Sequence, residues 1–208
     1  MSRESEGPVG TATRILAADD GTNYDAVAVA LHWTTVLLVL FQFASSQIWG
    51  WFARPTHHVL VVGLMSFGII LTLVIITRVI WRLMPGHQVP AIVSGWTGLA
   101  SKAVHYLLYG LLAVQAVLGF ILRWAGGEEM SFFGILIPSP FAAWSRAAHH
   151  QVGDLHENIG WAIIIIAAGH AAAALYHHYF LRDRVLLRML PGHGGGPMRN
   201  AGGLGGQS

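Results

Sequence analysis

His156 to His178 reads HENIGWAIIIIAAGHAAAALYHH. Four imidazoles punctuate a run that is otherwise almost wholly apolar. Such a run is long enough to cross the hydrocarbon core as a helix, which takes about 20 residues. A spanning strand needs only about 9–11 and must close a barrel, so the run reads as a helix. The question it raises is what the four rings are for, because polar groups inside a membrane helix are costly and functional by default.

Working outward, three more stretches share this character. Residues 26–50, 58–84 and 99–123 are long and apolar, as is 155–181 around the quoted run. Of 208 residues 54% are hydrophobic and only 11% charged, with mean hydropathy +0.54. A soluble domain carries about 25% charged residues. The expected fold is an all-α integral membrane protein, a four-transmembrane-helix bundle. Cysteine is absent, which excludes disulfides, thiolate metal sites and cysteine-held iron–sulfur clusters. The formal net charge of +2 gives no reason to expect nucleic acid as a partner; membrane lipid is the expected surroundings.

Arginine and lysine set the expected orientation. Arg3, Arg14, Arg78, Arg82, Lys102, Arg182, Arg184, Arg188 and Arg199 fall on one side, and only Arg54, Arg123 and Arg146 on the other. The positive-inside rule puts both termini in the cytoplasm, with Trp49, Trp51, Trp124 and Trp144 near the far interface as an aromatic belt. Residues 1–24 lack an apolar core flanked by a cleavage site, so they read as a polar tail and the first helix as an uncleaved anchor. The transmembrane unit covers 25–183. Within 184–208, the end is Gly-rich and has almost nothing to bury, and RDRVLLRMLP (182–191) reads as an interfacial extension. The connection at 124–154 contains MSFFGILIPSPF, too apolar for a free loop, and is expected to lie across the outer helix ends as a lid. No internal repeat points to a transporter with inverted halves.

At about 100° per residue, His170 lies about 40° from His156 and His177 about 60° from it. Three rings therefore share one face, with Gly160, Ala167 and Ala174 leaving flat slots between them that suit a porphyrin. His156 and His170 are about 21 Å apart along the axis, a spacing that fits two cofactors stacked across the membrane. The competing reading is helix packing through small residues, each His bonded to a neighbour. A haem iron between helices needs a second imidazole, and the first helix offers only His32, at the depth of His170. Two axial imidazoles leave no open position on iron and favour electron transfer. Zinc lacks ligands in such apolar spans.

YDAVAVALHW, TRVIWRL, KAVHYLLYGLL and HENIGW…GHAAAALYHHYFLRDRVLLRMLP together resemble the bacterial cytochrome b561 family, which includes the superoxide oxidases. The likeness covers roughly residues 23–191. It implies a four-helix cytochrome of the bacterial inner membrane with two b haems that exchanges electrons with membrane quinone, ubiquinone or menaquinone. By position His32 and His170 match the ligands of the cytoplasmic-side haem, and His156 one ligand of the outer haem. The other outer ligand stands about 14 residues before the arginine of the TRVIWRL-like motif, which is Leu64 here. An aliphatic side chain cannot ligate iron. One firmly bound haem is therefore expected. The outer level is expected without haem, five-coordinate through His156, or rebuilt with an outer histidine such as His57, in that order.

His105, Lys102, Tyr109, His177 and His178 are candidates for a quinone pocket, with His exchanging protons; the alternative is that His105 and His177 bond haem carboxylates or backbone. Arg78 and Arg82 read as snorkelling anchors. On the outer side His57, His58, His149, His150 and His156, with Glu128, Glu129 and Asp154, allow a divalent metal site or a solvated interface. The donor is expected at the periplasmic face, superoxide or a redox protein. Superoxide oxidation would make the chain a superoxide:quinone oxidoreductase; docking to a larger complex would make it an electron-transfer subunit. The reading from another class is a haem- or metal-binding sensor or transporter without redox turnover.

Overall fold

The computed structural model describes residues 25–84, 95–182 and 186–190. Four long helices run up and down: α1 (Ala26–Ile48), α2 (Arg54–Leu83), α3 (Gly95–Ala125) and α4 (Arg146–Tyr176). All four are long and apolar enough to span a membrane. The polar tail expected over 1–24 and the Gly-rich end lie outside the described residues.

Three of the four helices begin where local chemistry suits a helix start. Asp25 Oδ1 accepts from Ala28 N at 2.8 Å at the start of α1, and Ser145 Oγ accepts from Ala148 N at 3.3 Å at the start of α4, the N-cap role of short polar side chains. Pro55 occupies the first turn of α2, where its missing N–H is no loss. Within the spans Thr35, Ser66, Thr72 and Thr77 return their hydroxyls to the carbonyl four residues back, which keeps these four donors paired in the apolar medium.

The helices are apolar outside as well as in. Leu37, Val59, Leu73, Ile80, Val117 and Ile165 are exposed, as a lipid-facing surface requires. α1 packs along α2 and α3 along α4, and the two pairs meet chiefly through α2 and α3. At mid-depth Ile75, Leu112 and Ile163 form a dry cluster with Val39, Leu71, Leu111 and Ile159 around it.

α4 begins at Arg146, well before the start its apolar run implies. His149 and His150 are therefore helical and not loop residues. Beyond Tyr176 the helix widens into a π-turn, His177–Leu181, that stops at Arg182 in the left-handed region, φ 54°. A 3₁₀ turn, Leu187–Met189, then lies against α1, where Trp33 Nε1 donates to the Met189 carbonyl at 2.6 Å.

The lid is a hairpin. β1 (Met130–Phe132) pairs antiparallel with β2 (Ile135–Ile137), Met130 opposite Ile137. The two turn residues, Phe133 and Gly134, both have positive φ, the twist a two-residue hairpin turn demands. Ser66 of α2, 0% exposed, pins it: its Oγ accepts from Phe133 N at 2.8 Å. Trp124 meets Phe141 edge-on, while Trp51 at 83% and Trp144 at 44% exposure point outward.

Candidate functional site

The inward face of α4 repeats every seven residues: His149, His156, Ile163, His170. Seven residues is nearly two whole turns, about 20° short of alignment. α3 carries a matching series, His105, Leu112 and Gly119, continued by Gly126 just past its end, and the two run antiparallel in register. The His105 and His170 rings meet edge to face, centroids 4.9 Å apart. Leu112 and Ile163 share the dry cluster. A methyl added at Gly119 would lie 3.5 Å from His156 Nε2, and one at Gly126 would lie 3.0 Å from His149 Nε2.

α1 and α2 are registered in the same way. Arg78 Nη2 lies 2.9 Å from His32 Nδ1. Val39 and Leu71 flank the dry cluster. A methyl at Gly68 would lie 3.0 Å from Gln42 Nε2. Phe43 of α1 meets Trp161 of α4 with centroids 4.8 Å apart, which matches the depths of the two pairs. The bundle is thereby divided into an inner polar level, an apolar partition and an outer polar level.

The inner level gathers two contacting pairs, His32 with Arg78 and His105 with His170. Arg78 also stacks on Tyr109, its guanidinium carbon 5.2 Å from the ring centroid. This is a correction to the reading of Arg78 as a snorkelling anchor: its side chain turns into the bundle. A pocket beside it is lined by Arg78, Trp81, Arg82, Tyr109 and Met189, and Trp81 Nε1 donates to Asp25 at 3.2 Å. Arg78 and Trp81 were legible only as motif letters; their roles needed the register of α1 against α2.

Of the quinone candidates, His105 and Tyr109 reach this inner level. His105 lies nearly three turns into α3, which starts at Gly95. Its Nδ1 bonds the Ser101 carbonyl at 2.6 Å. Lys102 is exposed, and His177 is half-buried at the start of the π-turn.

At the outer level Arg123 is engaged by Glu128 and by the Glu129 carbonyl at 3.1 Å. Among the described residues no three His, Asp or Glu side chains come together to hold a metal ion, so the outer histidines do not form the divalent site their number allows. Leu64 is held by Gln42, whose Nε2 donates to its carbonyl at 3.0 Å.

Residues 23–192 match the family model for prokaryotic cytochrome b561. The chain is 30% identical over 178 residues to cytochrome b561 homolog 2 of Escherichia coli K12, covering 80% of this chain and 90% of that one. It is 31% identical over 176 residues to cytochrome b561 homolog 1 of the same organism, covering 81% and 97%. A protein of Yersinia pestis named probable superoxide oxidase CybB is 27% identical over 179 residues, covering 81% and 96%.

Proposed function

The chain belongs to the prokaryotic cytochrome b561 family, and from that premise we propose that His32 and His170 hold a b haem at the inner level, through which electrons pass between an outer-face donor and membrane quinone. As a family member it is a membrane b-type cytochrome with an electron-transfer role, multi-pass in the bacterial inner membrane. The observation that carries the finer reading is the inner level itself. Imidazoles from α1 and α4 stand at one depth, in a bundle whose apolar partition separates that level from the outer one.

A b haem bound there supplies one-electron redox chemistry. The chain's own residues do the rest. His32 and His170 would hold the iron through one ring nitrogen each, and a pair of imidazoles would favour electron transfer over ligand binding. Arg78 and Arg82 supply positive charge for the haem carboxylates or for developing charge on a quinone oxygen. His105 and Tyr109 are the groups nearby that can hand a proton to quinone. The likeness to a protein named a superoxide oxidase supports superoxide as the donor; a protein donor is the alternative.

A reduced-minus-oxidised optical spectrum of the purified chain tests this. Sharp low-spin b-type bands are expected, generated on adding quinol and reversed by quinone. His105→Leu should slow the reversal while leaving haem content unchanged. Absence of haem ends the reading, and haem that quinol cannot reduce favours a sensor or transporter.

A further inference from the structure

One wall of the inner pocket differs in kind from the rest. Three spanning helices line it, α1 through Ala28 and Leu31, α2 through Arg78 and Arg82, and α3 through Tyr109. The remaining wall is Met189, in the 3₁₀ turn Leu187–Met189 beyond the end of α4. That turn does not continue the helix. The π-turn stops at Arg182, whose left-handed backbone, φ 54°, is a conformation that ends helices. The turn is tied back to α1 by one neutral hydrogen bond, Trp33 Nε1 to the Met189 carbonyl at 2.6 Å. Leu187 and Leu190 beside it are only half-buried.

The space behind Met189 is small. The pocket holds about 30 Å³, room for about two waters and about a tenth of the roughly 300 Å³ at which small-molecule pockets begin. A quinone ring does not fit. Enlarging the space from the helix side would part α1 from α2, where Arg78 is bonded to His32 and Trp81 to Asp25. Withdrawing the turn breaks the Trp33 bond, uncovers two half-buried leucines and leaves every helix in place. The turn is therefore the wall that yields first.

We propose that the turn Leu187–Met189 is a door on the inner pocket, latched by Trp33, and that quinone reaches Arg78, Arg82 and Tyr109 only when the door withdraws. The proposal rests on the quinone reading above and adds the route of entry. Trp33 is a positioning residue here, acting on quinone through Met189. Weakening the latch raises the fraction of chains open to quinone and improves apparent affinity in proportion. A bond that merely shaped the site would have the opposite sign, since its loss would weaken binding.

The chain has no cysteine, so Ala28→Cys puts a single thiol in the pocket. Its rate of maleimide labelling in the detergent-purified chain reports the door without any quinone. Trp33→Phe keeps an aromatic ring and loses the N–H. It should speed that labelling roughly threefold to tenfold, the effect of one neutral hydrogen bond. Haem content should stay unchanged, and the KM for decylubiquinone in haem reoxidation should fall by a like factor at constant kcat. Leu187→Asp draws the turn toward water and should act in the same direction. It decides the matter if Trp33→Phe disturbs His32, whose ring meets Trp33 edge to face. Labelling that neither substitution speeds overturns the proposal. So does a rise in KM, which would make Met189 a fixed wall of the bound site. Faster labelling in a chain whose haem no quinone reoxidises would keep the door and sink the quinone reading instead.

Discussion

His32 Nδ1 is 2.9 Å from Arg78 Nη2, and a guanidinium can donate but never accept. The ring proton of His32 therefore sits on Nε2 in this arrangement. Iron takes the nitrogen that lacks a proton, so ligation through Nε2 requires the proton to move to Nδ1. Arg78 must then leave His32 and re-pair, and Tyr109 below it and the carboxylates of a haem are suitable partners. A fixed positive charge near iron favours the reduced state. Arg78→Gln should therefore keep the inner haem but lower its midpoint potential, by roughly 50–100 mV. A shift of that order follows from a charge interaction of about 1.2–2.3 kcal/mol in a partly buried site and about 59 mV per tenfold change for one electron. A redox titration measures it, and an unchanged potential would place Arg78 away from the iron. His32→Ala and His170→Ala should each remove that same haem; a full complement of six-coordinate low-spin haem in either variant would show the pairing to be wrong. At this scale the histidines were legible because 3.6-residue periodicity assigns a face. Arg78 was not, since hydropathy near a helix end cannot tell an arginine that snorkels outward from one that turns inward.

Helices are the elements most plainly written in this chain, and their outer ends the least. The apolar run of the fourth begins near residue 155, but Ser145 caps α4 and adds more than two turns. Those turns are polar, so hydropathy stops short of them, while the cap and the seven-residue series from His149 mark them. The lid was legible as apolar surface too large to leave in water; its hairpin was not, because each strand has only three residues. What fixes it is one hydroxyl. Ser66 Oγ accepts from Phe133 N and donates to the Val62 carbonyl at 2.7 Å. Ser66→Ala leaves the Phe133 N–H unpaired, at a cost of about 1–3 kcal/mol for a buried donor. Amide exchange across 130–137 should accelerate by one to two orders of magnitude, since 1.4 kcal/mol is about tenfold, while haem content at the inner level stays unchanged. Equal exchange in both proteins would mean that the hairpin is held by its apolar contacts with Phe67 instead.

For the whole molecule the open matter is which end faces the cytoplasm, and it decides on which side a donor must arrive. Arg78 and Arg82 lie at the inner end of α2 and Lys102 near that of α3, while Arg123 lies at the outer end, engaged by Glu128. The turn of Arg78 into the bundle does not remove it from the count, because the retention rule acts on the chain during insertion, before helices pack. The inner end, with residues 25, 84 and 182, should therefore be cytoplasmic. The absence of cysteine makes this directly testable. Met84→Cys and Ala142→Cys place single thiols at exposed positions at opposite ends, and neither touches the inner or outer histidines by any contact described. In spheroplasts a membrane-impermeant maleimide should label Ala142→Cys and spare Met84→Cys until the membrane is broken. The reverse pattern would invert the molecule. It would set the His156 level on the cytoplasmic side and require the donor for the inner haem to come from within the cell.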